Sequence, residues 1–215
     1  MERPHNRFTY LLIVLIAYFL ILPMISDKNL QFPIISCVFL GLLLFAYQPF
    51  VRAGEQMAFL FFLALAVIIP QIIYKGDFFV QYNYHHLTVS MIFNIIFIGA
   101  SVIILAKELF AIKKVAVEAI YGGICVYILL GIFFGFIYSL IYHFDLDAFS
   151  VAVMNEKDLF YFSFMTLLTV GYGDVTPVDS VVRGFAGLEA LTGQMFLAVF
   201  ISRLVGLYVA HEMKD

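Results

Sequence analysis

The sequence predicts an all-α membrane protein with six membrane-spanning helices and one shorter helix that enters the membrane and turns back through a glycine-containing loop. Three observations predict it. The 215-residue chain is 64% hydrophobic and 13% charged, with a mean hydropathy of +1.02, which is more apolar surface than a water-soluble core of that size hides. The apolar residues fall into six runs near the roughly 20 residues that cross a hydrocarbon core. Between the last two runs lies an apolar segment too short to cross, and it leads into Gly171 and Gly173.

The runs are 8–25, 32–48, 57–74, 87–106, 118–142 and 181–210. Arg3 and Arg7 before the first run resemble the start of a signal peptide, but Leu22-Pro23-Met24-Ile25-Ser26 offers no small-x-small cleavage site, so the run is expected to be retained. The second and third runs lack charges inside them. In the fourth, Asn94 is the one strongly polar residue, and 76–106 holds no Arg or Lys. A lone Asn in a bundle reads first as a helix–helix hydrogen bond. Cys37 and Cys125 sit in apolar runs, where a thiol behaves as a small hydrophobe, and no disulfide or metal site is expected. A net charge of -3 without a basic block argues against nucleic acid as a partner. No repeat, low-complexity tract or soluble domain is visible.

Residues 107–117 set a basic face (Lys107, Lys113, Lys114) against an apolar one (Leu109, Phe110, Ile112, Val115). That pattern suits an amphipathic linker helix on the cytoplasmic surface; snorkelling lysines at a span boundary is the alternative.

After the fifth run and a polar stretch from Asp145 to Glu156, Lys157 to Leu168 is free of Gly and Pro. Twelve helical residues reach about 18 Å, which takes a helix halfway into the membrane and no further. Its carbonyl end then faces the membrane centre, where partial negative charge stabilises a dehydrated cation. In the loop that follows, alternating glycines let successive carbonyls turn to one side, so Thr169, Val170, Gly171 and Tyr172 can supply a ladder of oxygens. The Thr169 hydroxyl adds one more at the inner end. Tyr172 is expected to point outward and brace the loop against neighbouring aromatics.

Thr166-Leu167-Leu168-Thr169-Val170-Gly171-Tyr172-Gly173-Asp174 fits the pattern TxxTxGYGD at each specified position, and 118–215 resembles the outer helix, pore loop and inner helix of the tetrameric potassium channel family. The resemblance implies K+ binding by Thr169, Val170, Gly171 and Tyr172, support from Thr166, Gly173 and Asp174, a hinge at Gly193, and one loop from each of four chains, hence a homotetramer or a heterotetramer with relatives. It also implies a voltage-gated-channel-like architecture, with 1–106 in the place of a voltage sensor. Two departures stand out. The chain has no Trp, and Tyr161 and Phe162 occupy the pore-helix positions where many members carry a Trp pair, making Tyr161 the expected donor to Asp174. Met165 stands where some prokaryotic members have Glu.

With Asp174 outside, six spans put both termini in the cytoplasm. Arg3, Arg7, Arg52, Lys107, Lys113, Lys114, Arg203 and Lys214 then fall inside, against Lys28, Lys75, Lys157 and Arg183 outside, in agreement with the positive-inside rule. Moving one charge through 100 mV is worth about 2.3 kcal/mol. A fourth span without charges therefore predicts weak or no voltage dependence.

In the sixth run, Arg183 and Arg203 are twenty residues apart, about 30 Å, and bracket the hydrocarbon core. If Gln194 faces a cavity, Leu197, Ala198, Ile201 and Val205 share its face, and Ile201 and Val205 form either an apolar gate or an ordinary subunit contact. Glu189 lies about 9 Å below Arg183 and about 140° from that face. It must be paired, hydrogen-bonded or protonated, with Ser163 or Thr166 as expected partners. Either it is a structural polar contact or it supports the filter and couples it to the inner helix.

The expected function is passive, potassium-selective conduction through a central pore in the plasma membrane, with no enzymatic activity, no cofactor beyond K+ as permeant ion, and membrane lipids and the other subunits as partners. A less selective cation channel is the nearest alternative. A secondary transporter would more typically show inverted repeats and paired ionisable groups at mid-membrane. An enzyme would need a nucleophile with a base or a metal cluster, and His85, His86 and His143 lie near predicted outer surfaces without partner motifs. The sequence as given ends at Asp215, so nucleotide or calcium control is expected to need a separate regulatory subunit.

Overall fold

A computed structural model of the chain describes residues 7–24, 65, 83–112, 117–150 and 156–213. Five helices are described: α1 (Arg7–Met24), α2 (Asn83–Ala111), α3 (Val117–Phe144), α4 (Glu156–Leu167) and α5 (Ser180–Glu212). They carry the first, fourth and fifth predicted spans, the short re-entrant segment and the sixth span. The second span, the third apart from residue 65, Cys37, Lys113 and Lys114 lie outside the described residues. Among those described, Thr88–Ala111, Val117–Phe144 and Ser180–Glu212 are long and apolar enough to cross a membrane, while Phe8–Leu20 is shorter.

The chain divides into two compact units, 1–101 and 102–215. In the first, α1 buries Phe8, Leu11, Leu15 and Tyr18 and exposes Tyr10, Ile13, Ile16 and Leu20. Three- and four-residue steps separate the buried residues, so they form one stripe, and the bare apolar side is what a lipid-facing helix requires. α2 likewise buries Ser90, Asn94, Phe97, Ile98 and Ser101 along one face. Its polar groups there are satisfied within the helix: Asn94 Nδ2 donates to the Ser90 carbonyl at 3.1 Å and Ser101 Oγ to the Phe97 carbonyl at 2.7 Å. Asn94 is thus bonded along its own helix, where the sequence suggested a partner on another. Lys107 to Ala111 continue α2 without a break, so those five residues of the expected linker prolong the span as helix.

The second unit holds the re-entrant arrangement. α3 packs on α4 and α5, and α4 packs on α5. In lipid no hydrophobic force draws apolar helices together, so close packing and polar contacts must do it. Here aromatic rings seat on glycines of α3: Phe200 on Gly123, Phe164 on Gly131 and Phe160 on Gly135. A Cβ at Gly131 would lie 2.6 Å from the Phe164 ring. Toward the C-terminal end of α3, Tyr138, Phe149 and Phe162 meet edge to face with centroids 5.0 to 6.0 Å apart, in a buried cluster with Phe134, Leu159 and Val182.

The segment after α3 is tied to the segment before α5. Asp145 Oδ1 accepts from Asp147 N–H at 3.0 Å, turning the chain. Ser150 N–H then donates to the Thr176 carbonyl at 2.9 Å, Thr176 N–H to Ser150 Oγ at 3.0 Å and Val178 N–H to the Ala148 carbonyl at 2.9 Å. Asp179 caps α5 by accepting from Val181 N–H at 2.7 Å.

A methyl group at Gly135 would collide with the Phe160 ring. Gly135→Ala is expected to destabilise the second unit by about 1–3 kcal/mol through overpacking. Thermal unfolding in detergent should show a lowered midpoint that Phe160→Leu in the same chain partly restores.

Candidate functional site

The site begins where α4 ends. A helix leaves its last four carbonyls without intrahelical partners, and here each is satisfied. Leu168 N–H donates to the Phe164 carbonyl at 2.9 Å, and Thr169 N–H to that of Thr166 at 2.9 Å. Val170 and Gly171 N–H both reach the Met165 carbonyl, at 2.9 and 3.3 Å. The Leu167 carbonyl accepts from Tyr127 Oη of α3 at 2.8 Å. The 170-to-165 and 169-to-166 bonds with Thr169 at φ +56° make a Schellman ending, whose left-handed position is usually glycine. No basic residue sits in the last turn, so no cation of the helix's own occupies its negative end.

From Thr169 the backbone alternates. Thr169, Gly171 and Gly173 have φ of +56°, +56° and +78°, whereas Val170 and Tyr172 are not in the left-handed region. Alternation of hand turns successive carbonyls toward one side, which is how a loop presents a row of oxygens. The row is bare within one chain: Val170 is 45% and Tyr172 71% exposed. The expected aromatic brace around Tyr172 is therefore not built within the chain. Such oxygens suit a hard cation; among the described residues no group of three or more His, Cys, Asp or Glu could hold a metal ion.

Beyond the glycines Tyr161 Oη donates to Asp174 Oδ2 at 2.8 Å, spanning from α4 to the loop. This bond raises the Tyr161 phenol above its ordinary range. Arg183 Nε donates to the Pro177 carbonyl at 3.1 Å, fixing the exit of the loop to α5. Thr166, half-buried, borders a shallow concavity behind the loop with Tyr161, Met165, Tyr172 and Asp174.

The back of α4 is held by α5. Gly193 is buried against Leu167, and a Cβ there would lie 2.7 Å from Leu167 Cδ1 and 3.1 Å from its carbonyl oxygen. In this structure Gly193 is a contact point between α5 and α4, within the unbroken helix of α5. Glu189, fully buried, accepts from Tyr138 Oη at 2.6 Å and lies 2.5 Å from Ser163 Oγ. Ser163 is one of its two expected partners; Thr166 is not a partner, and Tyr138 takes that place. Depth could have found Tyr138, since it lies six residues from the outer end of α3, about 9 Å, the depth of Glu189 below Arg183. Lower on α5, Gln194, Ala198, Ile201 and Val205 are exposed within the chain and Leu197 is half-buried. Arg203 Nη2 donates to the Ile112 carbonyl at 2.7 Å, with its guanidinium 5.2 Å from the Phe110 ring centroid.

Residues 123–210 match the family model described as ion channel. Protein LctB of Bacillus caldotenax is 53% identical over 49 residues, 23% of this chain and 36% of that protein. Two-pore potassium channel 4 of Arabidopsis thaliana is 40% identical over 65 residues, 30% of this chain and 23% of the relative. Two-pore potassium channel 2 of the same plant is 31% identical over 94 residues, 43% and 20% of the two chains. The matches thus span about a third or less of these relatives' own lengths. No solved structure matches. Residues 166–174, which carry the resemblance to potassium channels, lie inside the stretch that matches the ion-channel model, and two of the similar proteins are named as potassium channels.

A left-handed Thr costs about 1–2 kcal/mol relative to glycine. Thr169→Gly is therefore expected to unfold at the same temperature as the parent or higher, while losing the hydroxyl and with it ion affinity at the inner end. Thermal unfolding alongside calorimetric K+ titration checks both halves.

Proposed function

We propose that this chain is a subunit of a potassium-selective channel in which four copies surround one pore. The observation that carries the reading is the alternating backbone from Thr169 to Gly173, because alternation of hand is the conformation that lets the oxygens of Thr169, Val170, Gly171 and Tyr172 face one way. One chain offers oxygens from one side only; four enclose an ion as its water shell did. The similarity of 123–210 to ion channels supports this, and K+ as the permeant ion is the reading that the plant relatives' name favours. Assembly with further copies is supported by burial. The membrane span of α5 is 11% buried within the chain, against 61% for α3, so the inner helix needs neighbours. Copies of this chain then cover Tyr172 as well.

The protein works in the plasma membrane with both termini in the cytoplasm and Asp174 toward the outside, and it conducts without cofactor chemistry. α2 carries its one Lys, Lys107, in its last five residues, so 1–106 acts as a helical frame, not a sensor of the field. Ile201 and Val205, exposed on the lower face of α5, are placed to narrow the inner pore.

Purified protein in liposomes should carry K+ far better than Na+, read as a bi-ionic reversal potential near the potassium limit; equal permeabilities would leave a general cation channel. Open probability should change little with potential, and gating currents worth several charges per subunit would refute the uncharged frame. Tyr161→Phe should preserve selectivity and speed the decay of current during long openings, because Asp174 loses its donor.

A further inference from the structure

The hydrogens around Glu189 can be counted. Tyr138 Oη, 2.6 Å from Glu189 Oε2, has one proton and donates it there. Ser163 Oγ lies 2.7 Å from the Gly131 carbonyl oxygen and 2.5 Å from Glu189 Oε1. A hydroxyl has a single hydrogen, and a backbone carbonyl has none to offer. One of these two short contacts must therefore take its proton from elsewhere. Were the carboxyl ionised, either Ser163 and Gly131 or Ser163 and Glu189 would face each other at hydrogen-bond distance with no hydrogen between them.

Among the described residues no cation compensates the site. The hydrogen-bond partners of Glu189 among the described residues are Tyr138 and Ser163, neither of them cationic. From α3, Tyr138 faces it, and Tyr127 is committed to the Leu167 carbonyl. From α4, Ser163 faces it; Tyr161 is committed to Asp174, and Lys157 and Asp158 lie in the first turn. On α5 itself Arg183 is six residues away with Nε on the Pro177 carbonyl. An unpaired buried carboxylate would be costly in such surroundings.

We propose that Glu189 carries a proton and closes a neutral relay, Tyr138 to Glu189 to Ser163 to the Gly131 carbonyl, that locks outer, pore and inner helices together behind the filter and opens when the proton is lost. The proposal rests on the channel reading for its consequence, but not for its chemistry. With the proton in place, Tyr138 donates to Oε2, the carboxyl O–H donates to Ser163 Oγ, Ser163 donates to Gly131, and each short contact holds one hydrogen. Loss of the proton to bulk water removes one hydrogen and leaves a repulsive pair at Ser163. The lock is thus complete at low and neutral pH and fails as the solution becomes alkaline. In the channel, failure frees α5 from α4 and changes how long the pore stays open.

The test is infrared spectroscopy of the full-length protein in lipid across a pH series, beside single-channel recording. A protonated-carboxyl C=O band that shifts in deuterium oxide should be present at neutral pH, disappear on alkaline titration and be missing in Glu189→Gln. Gln supplies an N–H toward Ser163 and an oxygen toward Tyr138, so Glu189→Gln should gate as the parent does at neutral pH and lose the alkaline change in open probability. Ser163→Ala removes the acceptor and should shift the band and abolish the pH-dependent gating. A correctly folded parent without the band at neutral pH, or with a band that Glu189→Gln retains, overturns the proposal. So does alkaline gating that persists in Glu189→Gln. If the band behaves as expected in a protein that passes no K+, the channel reading fails while the relay stands.

Discussion

The arrangement around the loop depends on how α4 stops. A helix that ends halfway through a membrane must satisfy its last carbonyls without water. Here the loop's own N–H groups and one tyrosine do so, using Leu168, Thr169, Val170, Gly171 and Tyr127 as donors. The Schellman ending requires a left-handed residue after the helix, and that residue, Thr169, is also the first of the three left-handed positions that set the ladder. Ending the helix and starting the row of oxygens are one conformational event. The position of the oxygens is therefore fixed by main-chain hydrogen bonds, which side-chain substitutions in the loop leave in place.

A loop held this way is only as steady as the helix that carries it. α4 is gripped on its back by two kinds of contact. Rings seated on Gly131 and Gly135 bring α3 close enough for Ser163 to reach the Gly131 backbone. That closeness brings the buried polar groups Tyr138, Ser163 and Glu189 within bonding distance of one another. Partners left unmade at such depth cost more than made ones contribute. Packing and polar satisfaction consequently depend on each other: loosening Phe164 or Phe160 would strand Ser163, and removing the Glu189 side chain would leave Tyr138 without its acceptor.

The elements of the second unit were legible because their signals are local. The length of 157–168, the glycine alternation and the Arg183–Arg203 spacing depend on nothing outside their own segment, and α4, the loop and α5 follow them closely. The donor to Asp174 was legible too, as Tyr161 is the polar aromatic at the mouth end of α4. Tyr138 escaped because its role depends on the register of α3 against α5, 51 residues apart in sequence. The left-handed state of Thr169 escaped for a different reason: Thr has no preference for it, and only the helix ending imposes it. The continuation of α2 through Ala111 went unread because an amphipathic pattern at a span boundary looks the same whether the helix bends or runs on.

The two arginines that bracket α5 end alike, each on a main-chain carbonyl freed by a chain ending or turning. Arg183 holds Pro177 beyond the loop, and Arg203 holds Ile112, the residue after the end of α2. Between them Glu189 and Gly193 bind the upper half of α5 to α4. Below Gly193, Phe200 on Gly123 ties α5 to α3. α5 is thus anchored to α4 above and to α3 and Ile112 below, with the change of partner falling between Gly193 and Phe200. A rotation of the lower half about that point can move Ile201 and Val205 without breaking the contacts at Glu189, while loss of the Glu189 contact would release the upper half and carry its motion directly to Leu167 and the carbonyls that position the loop.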